Sequence, residues 1–247
     1  MAFIFDARQS DSPLVETIWR TQSEDAGSFI SAAASHWEIV VTKQYGKTIL
    51  SIRGPETRAT PSPIPENAEF FGIVFKHGAF MPHLPTRNLV DGAIHLPEGA
   101  HQSFSLDSSA WEIPDFENAD TFINRLIRQE LLVRDPVIEA VLQNRPPDLT
   151  PRSLRRHFIQ ATGLTHGAIV QIQRAHRAVA LLQKGVSILD AVYLAGYSDQ
   201  PHMTRSLKWF TGQTPAQIAR FGIENPVSNL EIAGPSPLLQ DLNLEIA

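Results

Sequence analysis

Three seven-residue stretches in the first half of the chain concentrate β-branched and aromatic side chains: HWEIVVT (36–42), KTILSIR (47–53) and EFFGIVF (69–75). Short runs of this kind, bounded by Gly and Pro, predict strands. QYGK between the first two predicts a hairpin turn with Gly46 at positive φ. RGPETRATPSPIPE (53–66) holds four prolines and is expected to be an irregular loop, because proline neither donates to a ladder nor continues a helix. Residues 1–117 therefore read as a β-rich domain.

At Asn118 the period becomes helical. In ADTFINRLIRQELLV, residues Phe122, Ile123, Leu126, Ile127 and Leu131 line one face, and Asn124, Arg125 and Arg128 line the other. A second helix is expected to start at Asp135 as cap, with Pro136 in its first turn, and to stop before Pro146-Pro147. Residues 118–149 thus form a helical connection.

From residue 150 the helix start and stop signals become dense. Thr150 and Pro151 open a helix with Leu154, Phe158 and Ala161 facing inward, and Gly163 ends it. Thr165 caps a long helix to Lys184, with Ile169, Ile172, Val179 and Leu182 inside and Gly185 at its end. Ser187 followed by Asp190 opens ILDAVYLA as a capping box, and Gly196 forces a tight turn. A further helix over 200–211 buries Met203, Leu207 and Phe210, and a last one starts at Thr214-Pro215. The fold class is α+β: a β-rich N-terminal domain, then an all-α region at 150–222 and a tail at 223–247. The tail carries Leu238, Leu239, Leu242 and Leu244, which fit either docking on the body or a partner, or loose order.

Charge sharpens the division. The chain has a net charge of −5, but residues 145–224 carry 10 Lys and Arg against 4 Asp and Glu, whereas residues 1–144 carry 11 against 19. A basic segment beside an acidic one is the footprint of a part that meets a polyanion. With no cysteine, disulfide frameworks, thiolate zinc sites and catalytic thiols are excluded. The same absence, together with Asp6 interrupting the N-terminal apolar stretch and the lack of a long apolar run, leads to a cytoplasmic expectation with no membrane partner.

Residues 187–211 have the layout of a helix-turn-helix: a scaffold helix burying Ile188, Val192 and Ala195, a glycine turn, and a second helix whose inner face is used by Met203, Leu207 and Phe210. Gln200, His202, Arg205 and Trp209 then point away. Arginine can take guanine bidentately and glutamine can read adenine, while Lys208 suits a phosphate. The same reasoning turns Arg152, Arg155 and Arg156 outward on the helix from Pro151. The intervening helix of about 19 residues spans roughly 28 Å, against ~34 Å between successive major grooves on one face of a duplex. A single chain could therefore cover about two turns.

The stretch GYSDQPHMTRSLKWFTGQTP (196–215) resembles the signature of the AraC/XylS family, with Gly196, Tyr197, Asp199, Arg205, Leu207, Lys208, Gly212, Thr214 and Pro215 in ungapped register. LTPRSLRRHFIQATGLT, with Arg174, Ala178, Leu181 and Leu182 beyond it, is similar to the first recognition helix and linker helix of that family. The resemblance implies homeodomain-like elements that bind double-stranded DNA to regulate transcription. Arg152, Ser153, Arg155 and Arg156 in the first element, and Gln200, Pro201, His202, Arg205 and Lys208 in the second, occupy its DNA-facing positions. It also implies RNA polymerase, a second copy of the chain and a small-molecule effector, sensed by the N-terminal domain, as partners. There are two departures. Pro201 replaces a small polar residue, and NRPPDLTP (144–151) leaves room for only one helix ahead of the first recognition helix. Either the helix from Pro136 has taken over the supporting role, or the first element is degenerate and the second reads alone.

Plainer readings remain beside these. The arginine cluster could be a solvated helix face, Trp209 could pack against the last helix, and the region could be a ligand-binding or protein-interaction module whose helix-turn-helix no longer reads DNA. His77, His83, His95 and His101 are spaced by 6, 12 and 6, which fits no standard metal-ligand pattern. No nucleophile motif frames a serine. The expectation is a protein without catalytic residues, metal or cofactor. FKHGAFMPHLP and PEGAHQSF are read as surface loops, with a pocket mouth as the alternative.

Overall fold

The computed structural model describes residues 4–96, 103–145 and 147–224. The loop residues 97–102 with His101, Pro146 and the tail from Asn225 lie outside the described residues. Strands β1 (Ile4–Arg8), β2 (Val15–Ser23), β3 (Gly27–Ser31), β4 (Glu38–Gln44), β5 (Lys47–Arg53) and β6 (Thr60–Ile64) come first. They are followed by β7 (Ala68–Phe75), β8 (Ala79–Phe80), a 3-10 turn at Thr86–Asn88, β9 (Ala93–His95), β10 (Ser103–Leu106) and β11 (Ser109–Glu112). Helix α1 (Ala119–Arg128), strand β12 (Val133–Arg134) and helix α2 (Pro136–Leu142) lead into helices α3 (Pro151–Thr162), α4 (His166–Gln183), α5 (Ile188–Leu194), α6 (Gln200–Thr211) and α7 (Pro215–Glu224). The class is α+β, as the patterns predict. No helix among the described residues is long and apolar enough to cross a membrane.

Contacts divide the chain into two compact units. The first comprises residues 1–28, 35–56 and 63–166, and the second residues 29–34, 57–62 and 167 onward. The first is organised by a six-stranded antiparallel sheet in the order β1-β2-β7-β4-β5-β9. The β4–β5 hairpin closes at Gln44 and Lys47, with Tyr45 and Gly46 at φ 49° and 73°, the two positive values that let a two-residue turn follow the strand twist. One face of the sheet buries Ile18, Ile39, Val41, Leu50, Ile52, Ile73 and Phe75 against Phe122, Ile123 and Leu126 of α1. Trp37 stacks on Phe75 at 4.0 Å and donates its indole N–H to the Ala79 carbonyl at 2.7 Å. The apolar face read at 118–133 is therefore the lid of this core.

Two sequence expectations are corrected here. The proline-rich stretch 53–66 is not wholly irregular, because Thr60–Ile64 forms β6, which pairs with β3 in a two-stranded ribbon. Pro61 and Pro63 are two residues apart, so both missing N–H groups fall on the same side of the strand. A strand with only one neighbour loses no ladder bond if that side faces outward. The helix opened at Asn118 stops at Arg128, short of Val133: Glu130 takes a positive φ of 57°, and Val133 and Arg134 pair with β8 instead.

Two of the N-terminal histidines, His77 and His95, have structural partners. His95 bonds Ser51 through Nδ1 at 2.8 Å, and His77 bonds Ser35 through Nε2 at 2.9 Å with its ring 3.9 Å from that of His36. His83 is exposed. No group of three His, Asp or Glu among the described residues could hold a metal ion. Burial pushes the pKa of His77 down to about 4, against the opposing effect of its hydrogen bond to Ser35. Between that value and the ordinary 6.5 the unfolded chain binds the proton that the folded chain refuses, so stability falls as pH drops through this window. His77→Gln should show a smaller fall in Tm between pH 7 and pH 4.5 than the parent protein in thermal melts. Parallel Tm–pH curves would remove His77 as the cause.

Candidate nucleic-acid interface

The second unit is built on α4 to α7. Ala175, Ala178, Leu181 and Leu182 of α4 pack with Ala191, Val192 and Ala195, with Met203 and Leu207 of α6, and with Ile218 of α7. Alanines at 175, 178, 191 and 195 are buried there and allow close helix approach. Ser187 accepts from the Asp190 N–H at 3.1 Å and donates to its carboxylate at 2.6 Å, which starts α5. Gly196 turns the chain at φ 78°, and the Asp199 carboxylate accepts the His202 N–H at 2.6 Å to start α6. That N–H, with further help from the Ser198 hydroxyl, holds the Asp199 carboxyl below its ordinary pKa. Pro201 lies in the first turn, where its missing N–H costs nothing.

With Met203 and Leu207 buried, the outer surface of α6 presents Gln200, Pro201, Arg205 and Lys208 exposed and His202 half-buried. Pro201, Arg205 and Lys208 lie closest together around the helix, with Gln200 and His202 to either side. Around His202 the side chains are ordered. The Tyr197 ring meets the imidazole edge-on at 5.1 Å and 90°, and the Tyr197 hydroxyl bonds Ser206 at 2.8 Å. The Arg174 guanidinium lies 5.6 Å from the Tyr197 ring centroid. Ser198 Oγ is 3.0 Å from His202 Nδ1 and donates to Asp199 Oδ2 at 3.2 Å.

The far end of α6 is finished by chain from the β-rich half. Ala33 N–H donates to the Phe210 carbonyl at 2.7 Å and Ala59 N–H to the Trp209 carbonyl at 2.9 Å, so two last-turn carbonyls gain partners. Trp209 is 55 % exposed, and its indole N–H donates to the Thr57 carbonyl at 3.0 Å. Its polar partner is thus this segment and not α7. His176 Nε2 donates to the Ala33 carbonyl at 2.7 Å, and burial lowers its pKa against the opposing effect of that bond. Gly212 combines φ 73° with a close approach: a Cβ there would stand 2.8 Å from Cγ2 of Ile30.

Helix α3 packs in the first unit. Thr150 Oγ1 accepts the Ser153 N–H at 3.2 Å, Pro151 occupies the first turn, and Gly163 ends the helix at φ 73°. Phe158 and Ala161 are buried and Leu154 is half-buried, which leaves Arg152, Arg155 and Arg156 exposed and Ser153 half-buried. The helix rests on the 3-10 turn and on α2. Thr86 Oγ1 donates to the Ala161 carbonyl at 3.4 Å. Asp135 caps α2 through the Val137 N–H at 3.0 Å and meets His157 Nδ1 of α3 at 2.5 Å with its other oxygen. The helix from Pro136 therefore packs beside α3. Sequence reasoning missed the roles of Ser198, Ser206, His157, His176 and the segments at 29–34 and 57–62. Ser198 and Ser206 lie within a few turns of their partners and could have been found; the others depend on contacts between more distant parts of the chain.

A family model described as a helix-turn-helix domain matches residues 148–220. The HTH-type transcriptional regulator VirS of Mycobacterium tuberculosis is 37% identical over 76 residues, covering 30% of this chain and 22% of that protein. The match thus spans about a fifth of the length of the curated relative. Among solved structures, ToxT from Vibrio cholerae matches with a TM-score of 0.40 and 9% identity over 89% of this chain and 98% of that one. A single-residue variant of ToxT from that species gives 0.38 and 8%. The C-terminal region is a helix-turn-helix domain. The match contains residues 196–215, the stretch whose register resembles the AraC/XylS signature.

Gly212→Ala should cost about 1–3 kcal/mol in urea unfolding, because a Cβ at this φ is strained and also meets Ile30. Adding Ile30→Ala should return only the part due to the contact. An unchanged unfolding midpoint in Gly212→Ala would refute the packing. Asp199→Ala should lower the unfolding midpoint through the loss of an N-cap, read in the same experiment.

Proposed function

We propose that the chain is a sequence-specific DNA-binding transcriptional regulator whose reading surface is the outer face of α6, joined by that of α3. The observation that carries this reading is the free polar face of α6, where Gln200, Arg205 and Lys208 stand exposed behind a fully packed inner face. Arg205 reads a base, Gln200 and His202 contact neighbouring base edges, and Lys208 holds a phosphate. On α3, Arg155 and Arg156 contact the duplex, with Arg152 and Ser153 at its flank. The functional DNA-binding region is 150–222, with 118–149 as the connection.

The β-rich unit is the regulatory part of this reading. It holds α3 through Thr86, Asp135 and the 3-10 turn, so a small-molecule effector bound there would act on the first reading helix without an intermediary. RNA polymerase and a second copy of the chain complete the set of partners. The protein works in the compartment that holds the DNA and needs no catalytic step.

Purified protein should retain a discrete motif from fragmented genomic DNA. Arg205→Ala should lose one part of the motif and the Arg155→Ala/Arg156→Ala double variant another. Loss only with Arg205→Ala would leave α6 reading alone, and a motif shared unchanged by all three proteins would remove both helices from the interface. Affinity should fall steeply with salt, the log–log slope shrinking by about 1 when Lys208 is replaced by Ala.

A further inference from the structure

His202 stands in the first turn of α6, the part of a recognition helix that approaches base edges. An imidazole there can donate or accept, and which it does depends on the nitrogen that carries its proton. The neighbours of the ring decide this. A serine hydroxyl has one hydrogen, and that of Ser198 is directed to Asp199 Oδ2, an acceptor that cannot donate as a carboxylate. With its hydrogen on the carboxylate, Ser198 Oγ meets His202 Nδ1 with a lone pair, and the hydrogen in that 3.0 Å contact then comes from Nδ1. The Tyr197 ring, held by Ser206, stands edge-on to the imidazole and limits its rotation.

We propose that the Asp199–Ser198 pair fixes His202 as the Nδ1–H tautomer, so that its bare Nε2 is a specificity-determining acceptor for the exocyclic amine of adenine or cytosine in the major groove. The inference rests on the DNA-reading role of α6. Adenine N6 and cytosine N4 are the amine donors of that groove, whereas guanine O6 and N7 and thymine O4 present lone pairs that an acceptor repels. Ser198, which touches no base in this arrangement, is a positioning residue.

Two measurements test it. In the DNA-free protein labelled with nitrogen-15 on histidine, long-range proton–nitrogen correlations should show the His202 proton on Nδ1, and Ser198→Ala should lose that bias. A signal for Nε2–H in the parent protein overturns the proposal. Next, duplexes selected from random sequence by the parent protein are scanned with bases lacking the exocyclic amine. One position should weaken binding by about 3–10-fold in the parent protein. The same substitution should have no effect in His202→Ala and a reduced effect in Ser198→Ala. A selected site with no amine coupled to His202 overturns the tautomer proposal and leaves DNA reading intact. Failure to select any site overturns the DNA-reading role, and this inference with it.

Discussion

Every helix leaves its first N–H and last C=O groups without internal partners, and the way those groups are satisfied determines where each helix of this chain can stand. The N-termini of α2, α3, α5 and α6 are closed locally by side chains at 135, 150, 187 and 199. The C-termini of α3 and α6 turn off at glycines in the left-handed region. What remains at the end of α6 is closed from far away, by backbone N–H groups of Ala33 and Ala59. The orientation of the exposed face of α6 follows from these end conditions as much as from its apolar inner face.

The first unit solves a related problem for α3. One carboxylate, Asp135, caps α2 with one oxygen and meets His157 of α3 with the other, so two consecutive helices share a single anchor. That arrangement holds α2 against α3. The arginines of α3 stay exposed because Phe158 and Ala161 are consumed by this packing.

Much of this was legible in the sequence, for identifiable reasons. The strands at 47–53 and 69–75 and the caps at Asp135, Thr150 and Ser187 depend on neighbours within a few residues, so local pattern suffices. The residues put forward for DNA contact on α6 were named by subtraction, since a twelve-residue helix with its apolar positions assigned has few others left. The ribbon strand Thr60–Ile64 was hidden because proline argues against strand locally, and only a one-sided ribbon makes the spacing tolerable. The role of Ser198 was hidden because a serine's single hydrogen has no direction until its acceptor is known.

The indole of Trp209 reaches a carbonyl 152 positions earlier in the chain. Three separate segments thus complete one compact body, and the two earliest leave the ribosome long before α6 exists. Closing a body across so many residues carries a loop-closure cost and delays its final contacts to the end of synthesis. The C-terminal helical body is therefore not a detachable cassette: a fragment beginning at α4 would lack the strands that finish α6, and would carry its open carbonyls and a half-paired His176 into water.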